Sequence, residues 1–324
     1  MGLLDRVTGG LVGLAATAAI AAAALAQVPT VGGAWETLAP MPDRRTEVSA
    51  VSDGERLYVL GGFAPANGAT TAPLAVYVFD PASGAWSTLT SLPVGVNHAG
   101  LAFVDGALYV VGGYRETTFQ ATNRVMIYDV AADQWRDGQP LATARGALAV
   151  AVVDGRIHAI GGSGARGAGT AHEIYDPRQD LWVEAQDMPT PREHIAAASV
   201  GSDIVVLGGR NGATSTMTPN EIYDTATGLW RQGAAVPTGR SGVAAVSLGG
   251  FVYFFGGEQF DRGESTFDEA ERYDPATDQW ARLPDMPTAR HGLAAAAIRG
   301  QIYVVSGGPQ AGFAFSDILE RLTP

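Results

Sequence analysis

The chain has 324 residues, 46% hydrophobic and 17% charged, with a formal net charge of −12. This is ample for a real core, and the acidic balance argues against nucleic acid or an anionic membrane as the main partner. All 21 basic residues are arginine and there is no cysteine, which removes lysine Schiff-base chemistry, disulfides, thiolate metal sites and a cysteine nucleophile.

The first predicted element is the apolar run LVGLAATAAIAAAALA at 11–26. Sixteen residues fall short of the roughly 20 needed to span a bilayer. The run ends in Ala24–Ala26, a small-x-small pattern, followed by Gln27. Residues 1–26 therefore read as a secretory signal peptide. The mature chain, 27–324, is expected outside the cytoplasm, in the periplasm or beyond, with no stable membrane insertion after cleavage. An uncleaved anchor is the alternative reading.

Past the leader the chain is periodic. The six tryptophans, Trp35, Trp86, Trp135, Trp182, Trp230 and Trp280, are spaced 51, 49, 47, 48 and 50 residues apart. Gly-Gly pairs beginning at Gly61, Gly112, Gly161, Gly208, Gly256 and Gly307 keep step with them. Each repeat reads as four strands. The first is Ala-rich, as in GLAAAAI, and its flanking turns argue for strand over the helix that propensity favours. A tight Asp-Gly turn follows at Asp53, Asp105 and Asp154. The second strand, such as ALYVVGG, ends in the Gly pair. After a variable loop the third strand ends in Tyr-Asp, and a tryptophan opens the fourth.

Four antiparallel strands in about 50 residues make one propeller blade. The order Arg, hydrophobic strand, Gly-Gly, Tyr-Asp, Trp, Met-Pro resembles the kelch motif from about residue 33 to the end. The fold expected is a six-bladed kelch-type β-propeller over 27–324, with no second domain and as a monomer. The last repeat lacks its tryptophan strand, and the first carries a spare one, WETLAPMP from Trp35. Pairing that strand into the last blade closes the ring and removes the free edges.

An arginine opens the first strand of most repeats. Counting back 16 residues from each Gly pair gives Arg45, Val96, Arg145, Arg192, Arg240 and His291, with Arg290 one earlier. The first strand lies nearest the axis, and this end of it shares a face with the loop between strands two and three. Arg45, Arg145, Arg192, Arg240 and Arg290 are therefore expected to ring the mouth of a central channel. His98, His291, Tyr114, Arg115, Arg210 and Asn211 join them there, holding an anionic ligand, an acidic carbohydrate or a partner loop. The alternative is that each arginine bonds carbonyls of the adjoining blade and sets blade spacing. The kelch resemblance implies that this face is the usual binding face.

Three histidines, His98, His194 and His291, sit near the start of alternate blades. They suggest a metal site, but blade entrances are expected to lie too far apart for bonds of about 2.1 Å, so no metal or cofactor is expected. His158 reads as a packed histidine. The acidic loop 258–271 lacks EF-hand spacing, and the glycine-rich loop 163–173 fits no phosphate-binding pattern. Tryptophans and tyrosines read as core, and the Tyr-Asp aspartates as turn caps. Kelch-like copper oxidases resembling galactose oxidase need a Tyr–Cys cross-link, which this chain cannot make. N-acetylneuraminate epimerase, an exported six-bladed mutarotase, is similar in architecture. That likeness implies an acid/base group beside an arginine, for which Glu258 and His194 are the candidates. A non-catalytic binding module is the favoured reading, a sugar-acid mutarotase the second, and a structural scaffold of the cell envelope the third.

Overall fold

The computed structural model describes residues 28–261 and 263–324; the signal-peptide expectation for 1–26 falls outside them. Among the described residues all regular structure is β. Six four-stranded antiparallel sheets follow one another along the chain. Blade three is typical, with strands Ala149–Val153, Arg156–Ile160, His172–Asp176 and Leu181–Glu184. Blade six consists of Ala294–Ile298, Gln301–Val305 and Leu319–Thr323, completed by Ala34–Thr37 from the start of the chain. Trp35 lies opposite Leu322 in that last ladder, so the expected closure is what the fold has.

The Ala-rich first strands are explained by crowding at the axis. Their side chains alternate between buried and half-buried, as in Ala294–Ile298. Six of them meet around one channel, where small side chains predominate, although blade two places Leu101 and Phe103 there. At Gly100 even an added Cβ would come within 2.1 Å of Val150 Cγ2. The Asp-Gly turns differ among themselves. Asp105-Gly106 and Asp154-Gly155 have positive φ at both residues, as a type I′ hairpin requires. Asp53-Gly54 sits instead in a four-residue loop between paired Ser52 and Leu57.

Three circles of hydrogen bonds tie neighbouring blades. In the first, the second glycine of each pair donates to the carbonyl of the residue at the arginine position of the next blade. Gly62 bonds Val96, Gly113 bonds Arg145, Gly162 bonds Arg192, and the series ends with Gly307 on Arg45. This explains the Gly pair. At Gly112, φ is +61° and a Cβ would lie 2.5 Å from the Arg145 carbonyl oxygen, so no larger residue fits unstrained. In blade six the equivalent pair is Ser306-Gly307, with Ser306 at φ 60°. The pair is therefore one residue earlier than the Gly307 expected from sequence, and Arg290, not His291, holds the arginine position.

The second circle lies at the axis. Glu47, His98, Ala147, His194, Gly242 and Gly292 all have φ between 50° and 64°. Each donates its backbone N–H to the carbonyl of its counterpart in the preceding blade, from Glu47 on Gly292 round to Gly292 on Gly242. The third circle is made by the tryptophans. Every indole N–H donates to a carbonyl at the end of the preceding blade, for example Trp182 to Gln139 at 2.8 Å and Trp35 to Pro284 at 2.8 Å. Five of the six are half-buried, and Trp280 alone is buried. The tryptophans are inter-blade joints as well as core: Trp280 belongs to a buried cluster and the other five pack against one. The Tyr-Asp aspartates do cap turns, as Asp176 does for the Arg178 N–H at 2.9 Å.

His158 is packed, as expected, but against a second buried histidine. Its Nδ1 lies 3.0 Å from Nε2 of His172, whose Nδ1 faces the Gln186 carbonyl at 3.3 Å. Burial lowers both imidazoles, to about 3 and about 4 respectively. Both stay neutral in the folded protein and take up protons on unfolding. Their contribution is therefore intact above about pH 6.5 and is lost as pH falls toward 4. The wild type should lose stability relative to a His158→Leu/His172→Leu variant by about 2 kcal/mol per pH unit across that window. Urea midpoints at pH 7, 6 and 5 check this; a constant gap between the two proteins would refute it.

Candidate functional site

The ring arginines do not line the channel. Arg45, Arg192, Arg240 and Arg290 have no exposed surface, and Arg145 almost none. Each guanidinium turns into its own blade. Arg192 donates to the Gly208 carbonyl at 2.7 Å and to Glu221 at 2.7 Å. Arg240 and Arg290 pair likewise with Glu271 and Glu320, at 2.7 and 2.6 Å, and Arg145 pairs with Glu173. In blade one Asp43 takes the glutamate's place, 2.7 Å from Arg45. The second oxygen of these glutamates is also satisfied, by Thr190 at 2.5 Å on Glu221 and by Thr238 at 3.0 Å on Glu271. The physical reason is simple. A guanidinium paired with a carboxylate and backbone carbonyls and sealed behind a packed blade meets no ligand, even where its Nε is left unpartnered, as in Arg145 and Arg192. Its side chain also holds its own blade, not the neighbouring one; only the arginine's carbonyl bridges blades.

The glutamate partners were missed, although the sequence carries their signal. Glu173, Glu221 and Glu271 stand two residues before the tyrosine of Tyr-Asp, and Glu320 two before Leu322. Blade two has Val96 in place of the arginine and Met126 in place of the glutamate, and both are buried in one apolar cluster. The pair is lost together.

What does face the mouth is the αL circle and the residue that follows each Gly pair. That residue bridges to the one just after the arginine position: Phe63 to Thr46, Ser163 to Gly146, Arg210 to Glu193, Glu258 to Ser241 and Gly308 to His291, while Tyr114 pairs with Asn97. Three of the αL positions are small, so the side chains of Glu47, His98 and His194 converge. The rings of His98 and His194 lie 4.7 Å apart in an edge contact, and His98 Nε2 is 3.2 Å from Glu47. His291 Nε2 faces Glu47 at 3.7 Å and Glu258 at 3.4 Å. The expectation that blade entrances keep the three histidines from converging is overturned only in part: an αL backbone turns His98 and His194 toward each other, while His291 faces Glu47 and Glu258 in a separate cluster.

Arg210 is the one ring-face candidate arginine among the charges of this pit. It donates to Glu193 at 2.7 Å, to Glu258 at 3.0 Å and to His194 Nε2 at 2.9 Å. Burial would raise the Glu193 carboxyl, but His194 and Arg210 outweigh it and lower the group to about 2. Burial raises Glu47 and holds His98 well below the ordinary imidazole range. With three carboxylates against one guanidinium, the pit is not the electropositive funnel expected for an anion.

Tyr114 is buried beside His98, with ring centroids 5.3 Å apart, and burial raises its hydroxyl to about 12. Arg115 is exposed on the adjoining loop. Asn211 accepts the Ala213 N–H at 3.0 Å and so caps its own turn. Above the pit stand aromatics that sequence reading did not single out. Phe119 and Phe313 are 60% and 62% exposed. Both lean on buried Phe63, at 6.2 and 5.5 Å, and on each other at 6.5 Å. Phe260, 39% exposed, lies under Arg210. Phe119, Phe260 and Phe313 belong to loops between second and third strands, whose variability hid them.

Six blades joined by Gly pairs and tryptophans, with the side-chain variety gathered on one loop face, define a β-propeller interaction module of the kelch type. The comparisons agree. The family model described as Kelch motif matches residues 44–93 and 96–142, and that of the KLHDC2/KLHL20/DRC7 Kelch-repeats domain matches 174–320. The chain belongs to the kelch-repeat family. It is 33% identical over 108 residues to Kelch-like protein terF of Aspergillus terreus, 31% of this chain and 24% of that protein. It is 31% identical over 105 residues to a putative F-box/kelch-repeat protein of Arabidopsis thaliana, covering 31% and 28%. With Kelch-like protein 26 of Danio rerio it shares 30% identity over 95 residues, covering 29% and 16%. These matches thus span less than a third of the relatives' own length.

Proposed function

We propose that this protein is an exported kelch-repeat interaction module that takes a protein loop on the face formed by its second-to-third strand loops. The observation that carries this reading is the contiguous aromatic patch of Phe119 and Phe313 resting on Phe63. Two phenylalanines more than half exposed and in mutual contact leave apolar surface open to solvent, and exposed aromatic clusters of this kind suit partner surfaces. The carboxylate excess in the pit speaks for a neutral or basic loop rather than an acidic glycan. The apolar run ending at Ala26 supports export, which Edman sequencing of the secreted chain tests by looking for Gln27 at its start.

The direct test is to pan a library of displayed loops against the protein and measure the selected loops on a Phe119→Ser/Phe313→Ser variant. Affinity is expected to fall at least ~30-fold, about 2 kcal/mol, the loss typical of central aromatic anchors, with the melting temperature unchanged. Equal affinity for the variant would refute the reading.

One observation favours a second reading, a sugar-acid mutarotase. Arg210 lies between Glu258 and His194, the two acid/base candidates, at 3.0 and 2.9 Å. Its charge is already matched by Glu193 and Glu258, which weakens its appeal to a substrate carboxylate. Accelerated anomer exchange of a sugar acid, followed by NMR, is the discriminating assay.

A further inference from the structure

The polar pit contains more lone pairs than protons to place between them. Each of its three histidines has Nδ1 against an oxygen. In His98 it is the Asn97 side-chain oxygen at 2.5 Å. The Asn97 amide is oriented by its own N–H group, which donates to the Glu116 carbonyl at 2.7 Å. In His194 it is Glu193 at 2.5 Å, and in His291 the Gly308 carbonyl at 3.1 Å. An oxygen acceptor at Nδ1 places the proton there and leaves Nε2 as a lone pair. At His194 that lone pair is used, since it accepts from Arg210 at 2.9 Å. At His291 it is not. The Nε2 atom is fully buried and has no hydrogen-bond partner.

What it faces instead are two carboxylates. Glu47 Oε1 lies at 3.7 Å and Glu258 Oε2 at 3.4 Å, too long for a hydrogen bond of 2.7–3.2 Å. The other oxygen of Glu47 faces His98 Nε2 at 3.2 Å, again acceptor against acceptor. Such an arrangement is repulsive unless a cation lies within it. One nitrogen and one oxygen each from Glu47 and Glu258 lie within 4.8 Å of one another. A tetrahedral site with bonds of about 2.1 Å has edges of about 3.4 Å, close to the two distances to His291. The surroundings match as well. Metal-binding histidines donate their remaining ring N–H to a carbonyl or carboxylate, and ligating carboxylates are held by further hydrogen bonds. His291 donates to Gly308, and Glu258 is held by Arg210 at 3.0 Å and by the Gly312 N–H at 3.0 Å.

We propose that the channel mouth binds one divalent transition-metal cation through His291 Nε2, Glu47 and Glu258. Imidazole with two carboxylates suits Zn²⁺, Mn²⁺ or Co²⁺ rather than a soft thiophilic ion. The three ligands come from blades one, five and six, so the cation also clamps the ring across its closure.

The test uses the full mature chain, stripped with EDTA and titrated separately with ZnCl2, MnCl2 and CoCl2. Calorimetry should show one equivalent bound with a dissociation constant of about 1 µM or tighter for at least one metal, and Co²⁺ should give the visible absorption of a low-coordinate N/O site. The near-isosteric Glu47→Gln and Glu258→Gln variants should each weaken binding at least ~30-fold, in line with the loss of a ligand. Both variants preserve the shape of the pit. Two results overturn the proposal: no binding to the wild type below ~100 µM of any of the three metals, or binding unchanged in both variants. In the first case a proton fills the gap, and Glu47→Gln would then be as stable as the wild type.

Discussion

Arg192→Met is expected to lower the unfolding free energy by about 3–5 kcal/mol, because it strands Glu221 as an uncompensated buried carboxylate. Glu221 is fully buried, and the Thr190 hydroxyl would be its remaining partner. Adding Glu221→Met should recover at least ~2 kcal/mol, since removing both charges is far less costly than removing one. The protein contains the precedent. Blade two does without the pair, using Val96 and Met126 in an apolar cluster with Leu60, Leu92 and Val110. Recovery should be incomplete, because Arg192 also serves the Gly208 and Pro219 carbonyls, and these lose a donor in both variants. Urea unfolding of the two singles and the double closes the cycle. If the double is less stable than Arg192→Met, the arginine is not acting through its glutamate.

The second large effect concerns closure. A chain beginning at Pro40 lacks the Ala34–Thr37 strand that completes blade six. It loses the ladder to Leu319–Thr323, the Trp35 bond to Pro284, and the Trp35 contact with Phe255 at 5.8 Å. A half-buried tryptophan and a four-residue ladder together contribute about 5 kcal/mol, a large share of the 5–15 kcal/mol that holds a typical domain. The exposed edge at Leu319–Thr323 also becomes a template for pairing with other chains. The truncated protein should therefore melt well below the intact one and aggregate, as size-exclusion and thermal scans would report. A synthetic peptide spanning 28–39 should restore part of the loss. An unchanged melting point would mean that the ring does not depend on this strand.

The repeat architecture was legible because each of its devices has a fixed residue. The Gly pairs answer to a positive φ and a carbonyl from the next blade, the tryptophans to an inter-blade hydrogen bond, and the alanines to a crowded axis. Blade number, strand number and the closing strand all followed. Even so, small offsets escaped. Ser306 stands where a glycine was expected, so His291 was counted into the arginine column when Arg290 belongs there.

The site was far less legible. The arginines were expected at the channel mouth because they open the innermost strand. Strand position, however, does not say which way a long side chain turns, and the glutamates that capture these arginines sit some 28–31 residues further on. Glu47 was passed over while His98 and His194 were noticed, though all three hold the same place in the repeat, 14 residues before the structural Gly pair. Phe119, Phe260 and Phe313 lie in loops of irregular length, where no period marks them.

By itself the sequence determined what is local and repeated: strands, turns, blade count and the strand that closes the ring. These rest on backbone sterics and short-range spacing, which any one repeat displays. Only the tertiary structure decided which charges are sealed inside blades and which meet at the axis. Glu47, His98, His194, Glu258 and His291 come from five different blades, and nothing in the linear order brings them together until the ring closes around one channel.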